Sequence, residues 1–129
     1  MSATRSKSAF LYGQVRRALQ SGRYVPGQRI DPATLAAEFG PQGVAVNALW
    51  PRTVIATDAI NMIPGVDAAG CRTPQIMADA AHAVLVREAA GFHGQFLIDD
   101  EVLAQAGITD LSGYAVDPSR PLLPDLFLD

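Results

Sequence analysis

The chain has 129 residues, 49% hydrophobic and 18% charged, with a formal net charge of −3. That mix excludes an intrinsically disordered chain and suffices for one domain, or one domain with an appendage, around a buried core. A single cysteine, Cys71, excludes an internal disulfide framework and a multi-cysteine zinc site, and it fits a reducing, cytoplasmic setting. No apolar run approaches the ~20 residues of a membrane span, and none follows Arg5 and Lys7, so neither a membrane anchor nor a signal peptide is expected.

The charge is unevenly placed. Residues 1–30 hold Arg5, Lys7, Arg16, Arg17, Arg23 and Arg29 and no acid, a net +6, whereas the rest of the chain sets all 13 acids against four basic residues, a net −9. From Ala9 to Ser21 the residues Leu11, Val15, Ala18 and Leu19 share one helical face, and Gly22 is a stop signal. Tyr24-Val25-Pro26-Gly27 reads as a turn. Asp31 is a cap, with Pro32 in the first turn, for a short helix that points Leu35, Ala36 and Phe39 inward and ends at Gly40.

Val44 to Trp50 is apolar on both faces except at Asn47, the pattern of a strand in a parallel sheet. A short helix is expected around Thr57–Ile63 and a turn at Pro64-Gly65. Thr73 as cap and Pro74 as first residue open a helix running to about Arg87, with Ile76, Met77, Ala80, Ala81, Val84 and Leu85 as its apolar stripe. Gly94–Ile98 is a second strand with Phe96 and Ile98 on one face. Asp99 or Asp100 caps a helix through Ala106, stopped by Gly107. Prolines 118, 121 and 124 make the tail extended, and Leu122, Leu123, Leu126, Phe127 and Leu128 require it to pack on the body or on a partner. Strand, helix and strand over residues 44–98 make a βαβ unit with a right-handed crossover and parallel strands.

Residues 35–129 resemble the C-terminal third of short-chain dehydrogenases/reductases. That family has a helix ending in "L-A-x-E" and a strand reading "G-I-x-V-N-x-x-x-P-G". Here Leu35-Ala36-Ala37-Glu38-Phe39-Gly40 precedes Gly43-Val44-Ala45-Val46-Asn47-Ala48-Leu49-Trp50-Pro51, with Arg52 in place of the glycine. The family's later "T-G-Q-x-x-x-V-D-G-G" is matched by His93-Gly94-Gln95-Phe96-Leu97-Ile98-Asp99, with Asp100-Glu101 replacing the final glycines. The Trp50-Pro51-Arg52-Thr53 form and the tail look most like the hydroxysteroid-dehydrogenase-like subfamily.

The resemblance implies an α/β fold, a partial Rossmann-type βαβ unit made of the last two parallel strands, with a helical N-terminal arm. It implies that the first strand's C-terminal end faces the nicotinamide of NAD or NADP. Pro51, with Val54 or Ile55, would lie against the carboxamide, and Thr57 would reach the pyrophosphate. Asn47 would tie neighbouring backbone through its amide. The family's glycine-rich turn and its catalytic tyrosine, tuned by a lysine four residues later, have no counterpart. The only lysine is Lys7, and Tyr12, Tyr24 and Tyr114 are followed at that spacing by Arg16, Gln28 and Pro118. No residue is therefore assigned to catalysis, and the chain reads as a truncated or chimeric dehydrogenase without independent turnover.

Residues 9–40 resemble the opening of GntR-type winged helix-turn-helix regulators, whose pattern "I-x-x-G-x-Y-x-P-G-x-x-L" and "L-A-x-x-F-G" is matched by Leu19, Gly22, Tyr24, Pro26, Gly27, Ile30, Leu35, Ala36, Phe39 and Gly40. The recognition helix is replaced by Pro41-Gln42-Gly43, so Arg16, Arg17, Arg23 and Arg29 are candidates for phosphate contacts alone. Two segments then follow: 1–40, a helical arm, and 41–129, the dehydrogenase-like part. Asp99, Asp100 and Glu101 read as the first turn of a helix rather than a cation site, and His82, His93 and Cys71 read as structural, with no metal expected. Two parallel strands leave exposed edges. Association through the second strand, the Thr73–Arg87 helix or the tail is expected, with another copy or with intact dehydrogenase subunits, and with DNA as the alternative partner.

Overall fold

A computed structural model describes residues 7–25, 27, 29 and 31–125, with only the backbone described for 7–11. The expectations for Pro26, Ile30, Leu126, Phe127 and Leu128 lie outside those residues. Among the described residues the elements are four α-helices, two short strands and five single 3-10 turns. By its contacts the chain divides into one unit of Met1–Ala48 with Glu88–Gln95 and another of Leu49–Arg87 with Phe96–Asp129.

In the first unit, α1 (Lys7–Gln20) and α2 (Pro32–Phe39) flank the turn at Tyr24. Asp31 caps α2 as expected: its carboxylate accepts from Ala33 N at 3.3 Å, and Pro32 opens the helix, where a missing N–H costs nothing. Ala36 and Phe39 are buried, while Leu35 is half-buried. Tyr24 packs into the same core and donates its hydroxyl to Glu38 at 3.1 Å, and Arg23 pairs with Glu38 at 2.7 Å. The segment 88–95 lies on α2. The ring of His93 comes so close to Gly40 that a Cβ there would stand 3.2 Å from it.

The first strand is shorter than the apolar run predicts. β1 covers only Ala48–Trp50. Asn47 accounts for the difference, because its side chain takes over part of the ladder. Nδ2 donates to Phe92 O at 3.1 Å and Oδ1 accepts from Gln95 N at 3.0 Å, between the backbone bonds Gly94 N to Val46 O and Ala48 N to Gln95 O. Its role of tying backbone is thus observed. β1 pairs in parallel with β2 (Phe96–Ile98) and with no other strand among the described residues. Leu97 is buried, and Trp50 and Phe96 are exposed.

In the second unit, α3 (Gln75–Leu85) packs against α4 (Asp99–Gln105). Ile76, Ala80, Val102 and Leu103 meet there with no exposed surface, and each of the larger three contributes roughly 1.5–3 kcal/mol of burial. α3 starts one residue later than its cap signals predict, at Gln75 with Pro74 as its cap. Thr73 makes no side-chain cap, and its N–H donates to Tyr114 O at 2.7 Å. The stripe also ends early, with Leu85 exposed. The expected helix near residue 60 is a single 3-10 turn, Ile60–Met62.

The tail packs on this body. Leu123 N donates to Gly70 O, Val54 N donates to Leu123 O, and Thr53 bridges to Pro124. Gly70 permits that approach, since a Cβ would stand 3.0 Å from Leu123 Cγ and 3.1 Å from Pro121 O. Gly70→Ala is therefore expected to lower stability by about 1–3 kcal/mol in urea denaturation and to speed proteolysis of the tail. An unchanged midpoint would show that the tail does not rest there.

Candidate functional site

The loop leaving β1 carries the positions singled out by the family pattern. Pro51 is half-buried, Val54 is buried, Ile55 is half-buried and Thr57 is exposed at the open end of the loop. Val54 and Ile55 differ in their backbone bonds. Val54 has no free polar group: its N–H goes to Leu123 O and its carbonyl accepts from Arg72 N. Ile55 N–H donates to no backbone carbonyl among the described residues. Thr57 N donates to Ile55 O at 2.9 Å and its own carbonyl accepts from Ile60 N, which curls the loop and leaves the hydroxyl outward.

What fixes this loop is acidic. Arg52 N donates to Asp99 Oδ1 at 2.9 Å, and the guanidinium of Arg52 reaches Asp100 at 3.0 Å and Glu101 at 2.6 Å. The two departures from the dehydrogenase pattern, an arginine for one glycine and two acids for the final glycines, are thus partners in space. Asp99 has no exposed surface and also accepts from Asp100 N, closing the first turn of α4. The triplet is a helix start, as expected, and no group of three metal-ligating side chains occurs among the described residues. Burial pushes the Asp99 carboxyl above its ordinary range, and the two backbone donors pull it back down. Beside it, Thr53 and Arg72 are buried polar residues that sequence reading passed over, because nothing in a lone arginine between Cys71 and Thr73 announces burial.

The remaining candidates are structural. Burial pushes the Tyr24 hydroxyl upward, and so, for Tyr114, does its 2.7 Å bond to Asp79. A proton-donating tyrosine in this chemistry needs a shift in the opposite direction. Cys71 has no exposed surface and its thiol is pushed up by burial, the reverse of what activation by neighbouring Arg72 requires. His82 is exposed near Asp79, and His93 rests on Gly40. On the basic arm, Arg16, Arg17 and Arg29 are exposed, whereas Arg23 is engaged by Glu38.

No protein-family model matches the chain. Hydroxysteroid dehydrogenase-like protein 2 of Xenopus tropicalis is 57% identical over 88 residues, 67% of this chain and 21% of the relative. The human protein of that name is 43% identical over 97 residues, 74% of this chain and 22% of the relative. A crystal structure described as a dehydrogenase from Xanthomonas campestris is 88% identical, with a TM-score of 0.73 over 76% of this chain and 36% of that one. A short-chain dehydrogenase from Mycobacterium thermoresistibile is 40% identical, with a TM-score of 0.67 over 76% and 35%. The chain spans about a fifth of the length of the curated relatives it matches. Over the matched stretch it is a short-chain-dehydrogenase-like α/β segment, and its parallel βαβ unit is a partial Rossmann-type fold.

Two expectations follow from the acidic clamp. Replacing Asp99 with alanine orphans two backbone donors and is expected to cost about 2–3 kcal/mol. Arg52→Ala, whose ion pairs are half in solvent, is expected to cost about 1 kcal/mol or less, and salt should shrink that loss. The Asp99 titration has a definite sign. A raised folded pKa means that the native state holds the proton more tightly than the unfolded chain, so ionisation costs stability as pH rises from about 3.9 through the raised value. Relative to wild type, Asp99→Asn should gain stability across that window and hold a constant difference above it. Denaturant midpoints of both proteins against pH measure this, and a flat difference would contradict it.

Proposed function

We propose that this chain acts as the C-terminal segment of an NAD(P)-dependent short-chain dehydrogenase. In this reading it supplies the nicotinamide-side loop while another polypeptide supplies the glycine-rich turn and the Tyr/Lys pair. The observation that carries the reading is the Ile55 amide, which has no backbone acceptor among the described residues while the flanking Val54 and Ala56 amides are bonded, on a loop beyond the C-terminal end of a parallel strand, where open α/β sheets bind their ligands. Ile55, rather than Val54, meets the carboxamide, Pro51 shapes the turn, and Thr57 offers its hydroxyl to the pyrophosphate. The coenzyme supplies the hydride chemistry when bound. The residues of this chain orient it and close one side of its site.

The sheet supports an associating role. Among the described residues β1 and β2 pair only with each other, with Trp50 and Phe96 exposed, so the strands can continue in a sheet of intact dehydrogenase subunits or of a second copy. A reducing cytoplasmic setting agrees with the one buried thiol. No helix among the described residues is long and apolar enough to cross a membrane. A second reading rests on the exposed Arg16, Arg17 and Arg29: phosphate contacts to DNA by the N-terminal arm.

The purified chain alone is expected to give no saturable enhancement of NADH or NADPH fluorescence and no oxidation of candidate alcohols. Co-expressed with an intact homologous dehydrogenase, it should co-purify in fixed stoichiometry. Independent turnover would defeat the proposal, as would a monodisperse monomer that ignores the homologue. The DNA reading requires a duplex mobility shift that weakens steeply with salt.

A further inference from the structure

Residues 1–30 carry six basic side chains and no acid, and α1 runs through them. Arg23 is neutralised by Glu38 at 2.7 Å. Arg16 and Arg17 are exposed and form no ion pair among the described residues. Tyr12, one turn before Arg16, is 68% exposed, and its hydroxyl has no partner among those residues.

Between these side chains stands Gly13. Glycine weakens a helix interior, because it loses the most backbone freedom on ordering and adds no side-chain contact. Here neither the backbone nor the packing calls for it. Its φ lies outside the left-handed region, and a Cβ on it would meet nothing within 4 Å. Residues three and four apart share a helix face, so Arg16 and Arg17 stand over Gly13 while Tyr12 borders it. The four residues make a notch with bare backbone as its floor, one aromatic wall and two cationic ones. A glycine in such a place admits close approach by a partner.

The charge of the walls fits a polyanion. An acidic helix fits poorly, because the row Tyr12, Arg16, Leu19 breaks its apolar residues with a cation and gives no continuous ridge. A second copy brings the same cations. A duplex can meet the arginines with its phosphates, but its base faces are stacked inside and leave Tyr12 without a role. A single strand uses both, with phosphates on the guanidinium groups and an unstacked base on the phenol ring. We infer that this face of α1 binds single-stranded nucleic acid, with a base on Tyr12, phosphates on Arg16 and Arg17, and the strand settled over Gly13. The inference rests on the phosphate-contact reading of the basic arm and adds to it the strandedness of the partner.

The test is fluorescence anisotropy of the purified full chain with labelled oligothymidylate, a labelled duplex of matched length and labelled polyglutamate, across salt concentrations. The oligothymidylate is expected to bind roughly tenfold or more tightly than the other two and to weaken steeply with salt. Tyr12→Ala should weaken it roughly fivefold or more and leave duplex binding unchanged. Gly13→Leu, which strengthens the helix and fills the notch, should raise helicity by circular dichroism and still weaken the oligothymidylate severalfold. Joint replacement of Arg16 and Arg17 by alanine should weaken all three polyanions and flatten the salt dependence. Equal affinity for the duplex or for polyglutamate would overturn the inference, as would unchanged oligothymidylate binding by folded Tyr12→Ala or Gly13→Leu. If only the arginine replacements matter, phosphate contacts stand and strand selectivity falls. If no nucleic acid binds, both fall.

Discussion

The second unit hangs on one buried carboxylate. Asp99 sits where β2 becomes α4, and with one oxygen it accepts from both Asp100 N and Arg52 N, across 47 residues of sequence in the second case. The first bond starts a helix, and the second ties the loop after β1 to that helix. In a sheet of two three-residue strands there is little ladder to hold register, so a charge-assisted bond between the ends of the two strands takes a larger share of the work. Its cost is visible in the same place: a carboxylate with no exposed surface, one oxygen unbonded, and an acidity pushed out of its usual range by desolvation.

Around that anchor the chain uses short-range bonds where a larger fold would use strands. Thr53 to Pro124, Ile55 to Arg72 and Arg72 to Ala115 are isolated bridges, so four extended segments touch by one residue each. They press the loop after β1 between residue 72 and the tail, and they use up the polar groups of Val54 while leaving the Ile55 amide unused. The chemical role proposed for the loop depends on this exhaustion of neighbouring donors more than on any side chain. The tyrosines show the converse. Both Tyr24 and Tyr114 serve as donors to carboxylates, Glu38 and Asp79, and a carboxylate neighbour drives a phenol away from the acidity that proton transfer to a substrate requires.

Much of this was legible in the residues alone. The Asp31-Pro32 start of α2, the buried pair Ala36 and Phe39, the apolar stripe of α3 and the acidic opening of α4 are local patterns, decided by capping, by helical period and by the helix dipole within a few residues of chain. The backbone-tying role of Asn47 was also readable, because an amide in an otherwise apolar run must find partners. The two breaks in the dehydrogenase motif, Arg52 and Asp100-Glu101, were readable as separate oddities. Their opposite charges were the one available hint that they belong together.

By itself, then, the sequence determined the helices, the parallel βαβ order and the kinship of the matched stretch with short-chain dehydrogenases. It also determined that no Tyr/Lys pair at the family's spacing lies within the chain. Only the tertiary structure decided where β1 begins, that Thr73 N–H meets Tyr114 O, that Val54 is spent while Ile55 is not, and that Arg72 is buried with polar atoms unpaired. Each of those outcomes turns on a hydrogen bond made or missed between residues far apart in the chain. Propensity and period act over single turns and cannot specify which distant carbonyl or carboxylate will arrive.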